Sequence, residues 1–527
     1  MLLEINKQRI GVIGKGEPIM NLKFGTGGLR AIMGEGPDCL NIETIREATL
    51  GVANYVKKIS KQPKIAICYD SRNQSEEFAR ETARVFALQG CMVWISATLM
   101  PTPFLSYAIR NLSCDLGVSI TASHNSKEYN GYKVYGKDGC QITGKAAGEI
   151  AWEIQRVEPL KAEKGASFEA YMNWGKIQFI SEVLVDNFCK EVLSYGLYGT
   201  LQSSSHEDIQ SLKVVYSPLN GAGRFCVTRV LEAKESYDIH MVEEQSDPDG
   251  NFPTCPYPNP EDDSAMELGL KLSEEIQADI FLATDTDSDR VGVVARKGNQ
   301  YERLNGNQVG VLLLDYILNT RKENGTLPQN PVIIKTIVTT EMVEKIAKDF
   351  QAEVINTLTG FKYIGEQIGE LEQKGELERF VLGVEESCGY LIGPYVRDKD
   401  AVGAAMLICE MADSYKKHGK TLWDRMEDLY EKYGYFVSTQ STQKFDESKA
   451  KEYMETLRER LRTVRKIQDS EPTVHHYIDY QEGIGSLPKS NVLKIWMQDG
   501  STLIVRPSGT EPKIKFYREE VKEYKKQ

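Results

Sequence analysis

Several features are missing from this sequence of 527 residues. It has no long apolar run, no heptad pattern, no low-complexity tract and no short internal repeat. A membrane-spanning helix needs about 20 consecutive apolar residues and a coiled coil needs sustained heptads, so the sequence predicts neither. Its 41% of hydrophobic residues can instead fill several cores, and its length allows about three to five domains of ordinary size.

Cysteine pairs are missing too. The ten cysteines are scattered without a CxxC pair, and most, such as Cys68 and Cys226, lie in apolar runs typical of buried thiols. Residues 1–16 carry charges and glycine instead of the apolar region of a signal peptide, and we expect them to form a loose arm. Together these observations predict a protein of the reducing cytoplasm.

An excess of positive charge is also absent, because the sequence contains 64 Lys and Arg and 76 Asp and Glu, for a net charge of −12. An acidic surface repels phosphate backbones and anionic lipids, so we expect neither nucleic acid nor a membrane surface as a partner. A small anion can still bind where basic side chains are focused in one cleft.

The most informative segment is residues 121–141, TASHNSKEYNGYKVYGKDGCQ. The apolar run at residues 116–120 predicts a buried strand, and residues 121–127 predict the loop at its end. Ligands of open α/β sheets bind at such strand ends. Ser123 therefore lies where phosphate could bind, although a Ser beside a His in a polar loop indicates little by itself.

A short strand is predicted to follow this loop. Asn130-Gly131 and Asp138-Gly139 are typical turn pairs, and they bracket an alternating segment at residues 132–135. The alternation places Lys133 on the face opposite its two neighbours. Lys133 could therefore point back at Ser123.

A second loop is acidic. It follows the apolar run at residues 280–283 and carries a carboxylate at every other position, in Asp285, Asp287 and Asp289. Carboxylates this close repel one another unless a hard cation joins them, which favours oxygen-liganded Mg²⁺. A calcium EF-hand is excluded, because Arg290 and Arg296 stand where it needs Gly and Glu. A solvated acidic turn is the alternative, but it does not explain the apolar strand that leads into it.

Two further loops offer groups suited to sugar and phosphate. Residues 382–389, LGVEESCG, follow an apolar stretch and supply carboxylates and a hydroxyl, although Glu385 or Glu386 could simply cap a helix. Residues 505–512, VRPSGTEP, lie between predicted strands and combine the fork of Arg506 with small donor residues. A plain hairpin connection is possible there, but the basic residues favour a phosphate cradle.

Alternating patterns predict βαβ units and doubly wound sheets. Helices are predicted at residues 42–59, 76–88, 308–320 and 341–349, strands at 64–69, 92–95, 214–216 and 332–337, and an irregular stretch at about 160–210. We place four domains at residues 1–205, 206–303, 304–425 and 426–527.

With these loops in the same order and at suitable spacing, the chain resembles the α-D-phosphohexomutase superfamily, closest to its phosphoglucomutase branch. The opening segment at residues 24–30, FGTGGLR, matches as well, so the resemblance covers nearly the whole chain. It implies an α/β protein of four domains, three similar mixed α/β sheet domains plus a smaller C-terminal α+β domain around a central cleft. One departure is Ser126, which stands where the family usually has proline and predicts a less rigid serine loop.

The resemblance also implies roles for individual residues. Ser123 would be the phosphoserine, and its phosphate together with the three aspartates would hold Mg²⁺. Arg30, His124, Lys133 and Arg290 would surround the transferring phosphate; Glu385 and Ser387 would hold sugar hydroxyls; Thr359, Gly360 and Lys399 would be further substrate contacts; and Arg506, Ser508, Gly509 and Thr510 would grip the other phosphate.

The activity so implied is interconversion of glucose 1-phosphate and glucose 6-phosphate through glucose 1,6-bisphosphate, by a monomer or small homo-oligomer. Phosphopentomutase and phosphomannomutase activities are the alternatives within the family, and a Mg²⁺-dependent sugar phosphatase is the alternative from another class. For proton transfer we expect Lys133, with a pKa depressed by cationic surroundings, and His124 in reserve.

Overall fold

The computed structural model describes residues 20–25, 27–157, 165–197, 211–445, 447–468, 471–485, 487–508 and 513–524. The arm expected at residues 1–16 lies outside them. The chain forms two compact units: unit 1 comprises Met1–Gly196, Lys213–Gly292 and Gly393–Met406, and unit 2 comprises Leu197–Leu212, Val293–Ile392 and Leu407–Gln527. Among the helices in the described ranges, none is long and apolar enough to cross a membrane.

Unit 1 begins with a six-stranded sheet. Its strands are β1 (Gly28–Ile32), β2 (Lys64–Tyr69), β3 (Met92–Ile95), β4 (Leu116–Ile120), β5 (Tyr129–Gly136) and β6 (Ile177–Phe179), in the order β1-β5-β4-β2-β3-β6. Strands β4, β2, β3 and β6 run parallel, whereas β1 and β5 are antiparallel to their neighbours. Parallel strands need helical crossovers, which cover both faces and explain the near-continuous apolar runs.

The crossovers are α1 (Ile42–Ile59), α2 (Ser75–Leu88), α3 (Thr102–Asn111), α4 (Gly144–Ile154), α5 (Phe168–Asn173) and α6 (Glu182–Ser194). A second sheet of unit 1 contains β7 (Leu212–Ser217), β8 (Tyr237–Met241), β9 (Ile280–Thr284) and the start of β10 (Val291–Lys297), in the order β10-β9-β7-β8. Helices α7 (Gly223–Glu232), α8 (Glu243–Ser246) and α9 (Asp263–Ile276) accompany it.

Unit 2 holds two further sheets. Helices α10 (Gly306–Glu323), α11 (Met342–Asp349), α12 (Phe361–Lys374), α13 (Ala401–Lys417, from Leu407 onward) and α14 (Leu422–Tyr433) accompany strands β11 (Gln300–Leu304), β12 (Val332–Thr336), β13 (Glu353–Thr357), β14 (Phe380–Glu385) and β15 (Gly389–Leu391). The sheet order is β13-β12-β14-β15, and β10 from Val293 onward pairs antiparallel with β11.

The C-terminal sheet is entirely antiparallel. Strands β16 (Tyr435–Lys444), β17 (Val474–Asp479), β18 (Leu493–Met497), β19 (Thr502–Pro507) and β20 (Lys513–Lys522) follow the order β16-β20-β19-β18-β17, with helix α15 (Glu447–Thr463) between β16 and β17 in the chain. Three mixed α/β sheets and a C-terminal antiparallel sheet confirm the predicted fold class.

The expected turn at Asn130-Gly131 is wrong, because both residues belong to β5 and pair with β1. Asn130 is fully buried, and its amide donates to the Oγ of Ser75 at 2.9 Å. A side chain at position 131 would bring its Cβ within 2.4 Å of the carbonyl oxygen of Thr121. Glycine is therefore required here for a close backbone approach, which a turn pattern does not distinguish.

The irregular stretch expected at residues 160–210 is wrong for the described part, since α5, β6 and α6 lie there. Helix α6 buries Val185, Phe188, Cys189 and Val192, a spacing typical of one helix face. Charged residues between these positions obscured the period.

A buried ionic cluster ties the two sheets of unit 2. The Nζ atoms of Lys335 on β12 and Lys494 on β18 lie 3.1 and 2.7 Å from the same oxygen of Glu341. Both lysines are almost fully buried. Burial alone would raise the pKa of Glu341, but the two lysines outweigh it and lower that pKa to about 2. Burial and Lys335 lower the pKa of Lys494 to about 8.

We expect Glu341→Gln to destabilise the protein by about 3–5 kcal/mol, because it leaves two buried ammonium groups without a carboxylate. Lys494→Met should cost much less, since Lys335 and Glu341 remain paired. Urea unfolding followed by circular dichroism measures both. The pKa of Glu341 is lowered from 4.5 to about 2, so its contribution is present above pH 4.5 and lost as the pH falls toward 2. Equal losses in the two variants would contradict this account.

Candidate functional site

Ser123 lies just past the end of β4 and is 3% exposed. Its φ of +51° is in the left-handed region, which a non-glycine residue occupies only when its surroundings hold it. The backbone N–H donates to the Oγ1 of Thr121 at 2.8 Å, and the hydroxyl donates to Oδ2 of Asp285 at 2.8 Å. The predicted serine loop and the predicted acidic loop therefore meet within unit 1.

The acidic loop connects β9 and β10. Asp285, Asp287 and Asp289 are buried, and one carboxylate oxygen of each lies within 4.8 Å of the others. Oδ1 of Asp285 accepts hydrogen bonds from the backbone N–H groups of Asp289 and Arg290, both at 3.1 Å, which fixes the turn.

The carboxylates fit a divalent cation. Oδ1 of Asp287 and Oδ1 of Asp289 are buried and accept no hydrogen bond from any described residue, although Nε of Arg290 lies 3.8 Å from the latter. Buried oxygens without donors are expensive, and an all-oxygen set of this kind suits Mg²⁺. These three aspartates and the oxygen of Ser123 could therefore hold such an ion.

The pKa values of Asp285 and Asp287 are shifted in opposite directions. Burial, followed by the charges of Asp289 and Asp287, raises the pKa of Asp285 well above its ordinary value. Burial would also raise the pKa of Asp287, but the contacts from Lys133 and Thr102 outweigh it and lower that pKa. The cluster as found is balanced by basic side chains, and a bound cation would take over part of that role.

Two lysines supply that balance. Nζ of Lys133 lies 2.7 Å from Oδ2 of Asp287 and 3.7 Å from Oδ2 of Asp289. Nζ of Lys399 lies 3.1 Å from the same oxygen of Asp289. Lys399 belongs to Gly393–Met406 of unit 1. It thus lies beside the aspartates of the acidic loop.

The expectation that Lys133 has a depressed pKa is wrong. Burial does lower the pKa of Lys133, but Asp287 and Asp289 outweigh burial and the pKa is raised. The sequence suggested cationic surroundings because Arg30, His124 and Arg290 were the residues expected nearby. The direct partner of Lys133 is instead a carboxylate, which favours a permanent positive charge.

His124 is a second titratable group beside the hydroxyl, after Asp285, with Nδ1 3.3 Å from the Oγ of Ser123. Burial, then Arg290 and Arg30, lowers the pKa of His124 well below its ordinary value, so the imidazole is neutral at pH 7. Arg30 on β1 donates to Oδ1 of Asn125 at 3.0 Å, and Arg290 lies 3.3 Å from Glu261. All four predicted phosphate contacts are thus in unit 1.

Unit 2 holds the remaining predicted residues. Glu385 ends β14 and pairs with Gly389 of β15, and Ser387 lies in the turn between the strands. The neighbouring Glu386 accepts from the Oγ1 of Thr336 at 3.0 Å. The carbonyl of Glu386 would lie 1.9 Å from a Cβ at Gly306, so glycine lets helix α10 approach this turn.

The loop at residues 382–389 and the described start of the loop at residues 505–512 are neighbours within unit 2. Burial raises the pKa of Tyr517, with smaller effects from Glu386 and Arg506, which places both charges beside that ring. Burial, followed by the charge of Glu366, raises the pKa of Tyr363 in α12, and Arg506 opposes that shift. Arg506 therefore also lies near Tyr363. Thr359 and Gly360 immediately precede α12, with Gly360 at φ +113°. The N–H of Ser508 donates to the carbonyl of Lys513 at 2.8 Å.

Gly509 and Thr510 lie outside the described residues, so their predicted role has no structural account. The basic neighbour Arg518 forms a bidentate pair with Glu471, at 2.8 and 3.0 Å.

Two important residues were missed from the sequence. Thr102, at the start of α3, donates from Oγ1 to Oδ2 of Asp287 at 2.8 Å and from its N–H to the Asp287 carbonyl at 2.8 Å. Arg72 contacts the backbone of the serine loop through both terminal nitrogens. The signal for Arg72 was available, because Asp70-Ser71-Arg72 follows directly on the apolar strand β2, just as the acidic loop follows β9.

Four family models match consecutive parts of the chain. They are described as phosphoglucomutase/phosphomannomutase alpha/beta/alpha domain I at residues 21–161, domain II at 188–298, domain III at 305–433 and the C-terminal domain at 445–526.

Individual proteins are similar over nearly the whole chain. A phosphoglucomutase of Staphylococcus saprophyticus is 36% identical over 514 residues, covering 94% of this chain and 90% of its own. The open form of pp63/parafusin, a phosphoglucomutase from Paramecium, has a TM-score of 0.72 at 18% identity and covers 97% of this chain and 92% of that one.

N-acetylphosphoglucosamine mutase of Aspergillus fumigatus has the same fold at greater distance. Its complex with GlcNAc-6P and magnesium has a TM-score of 0.51 at 15% identity, covering 94% of this chain and 92% of that one. A serine-to-alanine variant of that enzyme in complex with glucose 1,6-bisphosphate has a TM-score of 0.51 at 14% identity, covering 95% of this chain and 92% of that one.

We expect Asp287→Asn to weaken binding of a divalent cation by at least about tenfold, because it removes charge from a ligand of a hard cation. Titration calorimetry with Mg²⁺ or Mn²⁺ measures this without requiring activity. The matched control is Glu243→Gln, an exposed carboxylate in α8, which should leave the affinity unchanged. Unchanged affinity in Asp287→Asn would make the acidic loop purely structural.

Proposed function

Because the chain belongs to the phosphoglucomutase/phosphomannomutase family and is therefore an isomerase of the mutase type, we propose that it interconverts glucose 1-phosphate and glucose 6-phosphate. A phosphoserine at Ser123 and a glucose 1,6-bisphosphate intermediate would connect the two sugars. The observation that most supports this is the 2.8 Å contact between the buried Ser123 hydroxyl and Asp285 of the metal-binding cluster.

The resident cation in this proposal is Mg²⁺, held by Asp285, Asp287, Asp289 and an oxygen on phosphorylated Ser123. When bound, it would neutralise charge on the phosphoryl group. The buried aspartate oxygens that lack donors support this assignment. So does the Aspergillus fumigatus mutase, which was crystallised with magnesium and, as a variant, with glucose 1,6-bisphosphate.

The transfer breaks the bond between phosphorus and the Oγ of Ser123 and forms one between phosphorus and a sugar oxygen. The sugar hydroxyl loses a proton and Oγ gains one, so the step is balanced without another reactant. We assign proton movement at Oγ to His124, 3.3 Å away. Its neutral imidazole accepts the Oγ proton when Ser123 takes up a phosphoryl group, and the imidazolium so formed returns that proton when Oγ is released. Lys133, with its raised pKa, then acts as a fixed positive charge.

The predicted sugar and phosphate contacts of unit 2 are proposed as substrate-binding residues. Glu385 and Ser387, with Thr359 and Gly360, are suited to sugar hydroxyls because they offer carboxylate, hydroxyl and backbone groups. Arg506 and Ser508, with Gly509 and Thr510, are proposed to hold the phosphate that is not being transferred. Lys399, beside Asp289, would contact the substrate from unit 1.

Glucose is preferred to mannose or pentose in this proposal because the relative of 36% identity is a phosphoglucomutase. A Mg²⁺-dependent sugar phosphatase would use the same loops but transfer the phosphoryl group to water. The two activities differ in their product and are therefore separable by one experiment.

We expect ³¹P NMR of the protein with glucose 1-phosphate, Mg²⁺ and a trace of glucose 1,6-bisphosphate to show glucose 6-phosphate. Ser123→Ala should abolish this conversion, since the proposed carrier of the phosphoryl group is lost, and should remove the added phosphate from the intact mass. Inorganic phosphate as the main product would favour the phosphatase. Phosphate retained in Ser123→Ala would place the modification elsewhere.

The roles of Lys133 and His124 can be separated by substitution. His124→Gln should lower kcat by about 10²–10⁴, the usual contribution of general acid–base catalysis. Lys133→Met should also lower kcat strongly, whereas Lys133→Arg should keep much more activity, because arginine retains the charge but cannot release a proton. If Lys133→Arg is as inactive as Lys133→Met while His124→Gln is active, the proton passes through Lys133.

A further inference from the structure

We propose that Arg72 is the positioning residue of the phosphoserine loop, holding Ser123 in its left-handed conformation through the loop's own peptide carbonyls. The inference extends the function proposed above, because the loop it concerns carries the nucleophile. Arg72 touches neither the metal-binding carboxylates nor the Ser123 hydroxyl through any hydrogen bond described for it.

The guanidinium of Arg72 spans the whole loop. Nη2 donates to the carbonyl of Ser123 at 2.5 Å and to that of Asn125. Nη1 donates to the carbonyl of Ser126 at 2.8 Å and to that of Tyr129, the first residue of β5, at 3.0 Å. One planar group therefore ties the peptide of the nucleophile to the strand on which Lys133 lies.

Arg72 is itself held in place. It is 3% exposed, its Nε lies 3.5 Å from Oδ2 of Asp70, and its backbone N–H donates to Oδ1 of Asp70 at 3.0 Å. The hydroxyl of Ser75 fixes the same Asp70 oxygen at 2.7 Å, and the ring of Phe252 lies 5.2 Å from the guanidinium carbon. A buried cation is tolerated only when a carboxylate and hydrogen bonds compensate it. Arg72 has the carboxylate of Asp70 and the carbonyls of the loop, although its Nε donates to no described acceptor.

The loop requires such a partner for two reasons. Ser123 has a φ of +51°, a conformation that is strained for a non-glycine residue unless its surroundings enforce it. Residue 126 is a serine and not a proline, so no ring restricts the backbone there. Arg72 contacts the carbonyl of Ser126 directly. The guanidinium of Arg72 thus restrains the backbone at position 126, which a proline ring would otherwise restrict.

Lysine cannot replace this function. Carbonyls along one loop require a fork of fixed N–H directions, whereas an ammonium is a compact charge with three donors. Loss of the fork should leave substrate binding largely intact but misplace the nucleophile, and a misplacement of about 1 Å costs about 10²-fold in rate.

The test compares Arg72→Lys and Arg72→Ala with Arg80→Ala, a matched loss of a partly exposed arginine in α2 that stacks on Phe168. We expect kcat to fall about 10²-fold in the Arg72 variants, with KM changed by less than about threefold, and no such split in Arg80→Ala. Added guanidinium should restore part of the activity of Arg72→Ala only. Introducing Ser126→Pro into Arg72→Lys should also restore part of kcat, since proline fixes φ.

Hydrogen exchange of the amides in residues 121–129 provides a readout that does not depend on turnover. Faster exchange there in Arg72→Lys, with the rest of the protein unchanged, supports the proposal even if the wild type converts no glucose 1-phosphate and the proposed function fails. Wild-type exchange and wild-type kcat in folded Arg72→Lys would overturn it. So would an equal rise in exchange throughout unit 1, which would make Arg72 only a stabilising residue.

Discussion

Repulsion among three buried carboxylates is the constraint on which the site of unit 1 depends. Asp285, Asp287 and Asp289 are held within 4.8 Å of one another, and like charges at that separation cannot all remain ionised without compensation. The chain meets the constraint with Lys133 and Lys399, contributed from distant parts of the sequence. The same demand explains why the Ser123 hydroxyl donates to Asp285. A cluster that needs positive charge or donors is suited to binding a divalent cation.

The parts of the fold that could be predicted are those encoded locally. Strand β4 and helix α1 have the bounds that their apolar patterns predict, because a buried strand and an amphipathic helix leave a short-range signature. The loops at the ends of β4 and β9 were found for the same reason. The prediction of a turn at Asn130-Gly131 was wrong because this residue pair is also common in turns. Glycine is required at position 131 because the backbone of Thr121, on a neighbouring segment, leaves no room for a side chain.

Electrostatic properties were less predictable than positions. Lys133 was expected to point back at Ser123, but the sign of its pKa shift depends on Asp287, 154 residues away. The identities of charges are visible in a sequence, whereas their distances are not, and Coulomb energies depend on distance. The sequence did not distinguish the roles of Lys133 and His124, whereas their contacts do. Carboxylates keep Lys133 cationic, and burial and arginines keep His124 neutral. An acidic protein can therefore present focused positive charge to an anionic substrate.

The serine loop is restrained by hydrogen bonds from a residue distant in the sequence and not by a proline within the loop. Proline stiffens a loop through its own ring, and a sequence lacking it at position 126 suggests a mobile nucleophile. Arg72 provides restraint from 54 residues away, by donating to the carbonyl of Ser126 itself. The consequence is that the geometry of Ser123 depends on Asp70 and Ser75 at the junction of β2 and α2, which orient the guanidinium. That junction contacts no reacting atom, yet it belongs functionally to the loop it holds.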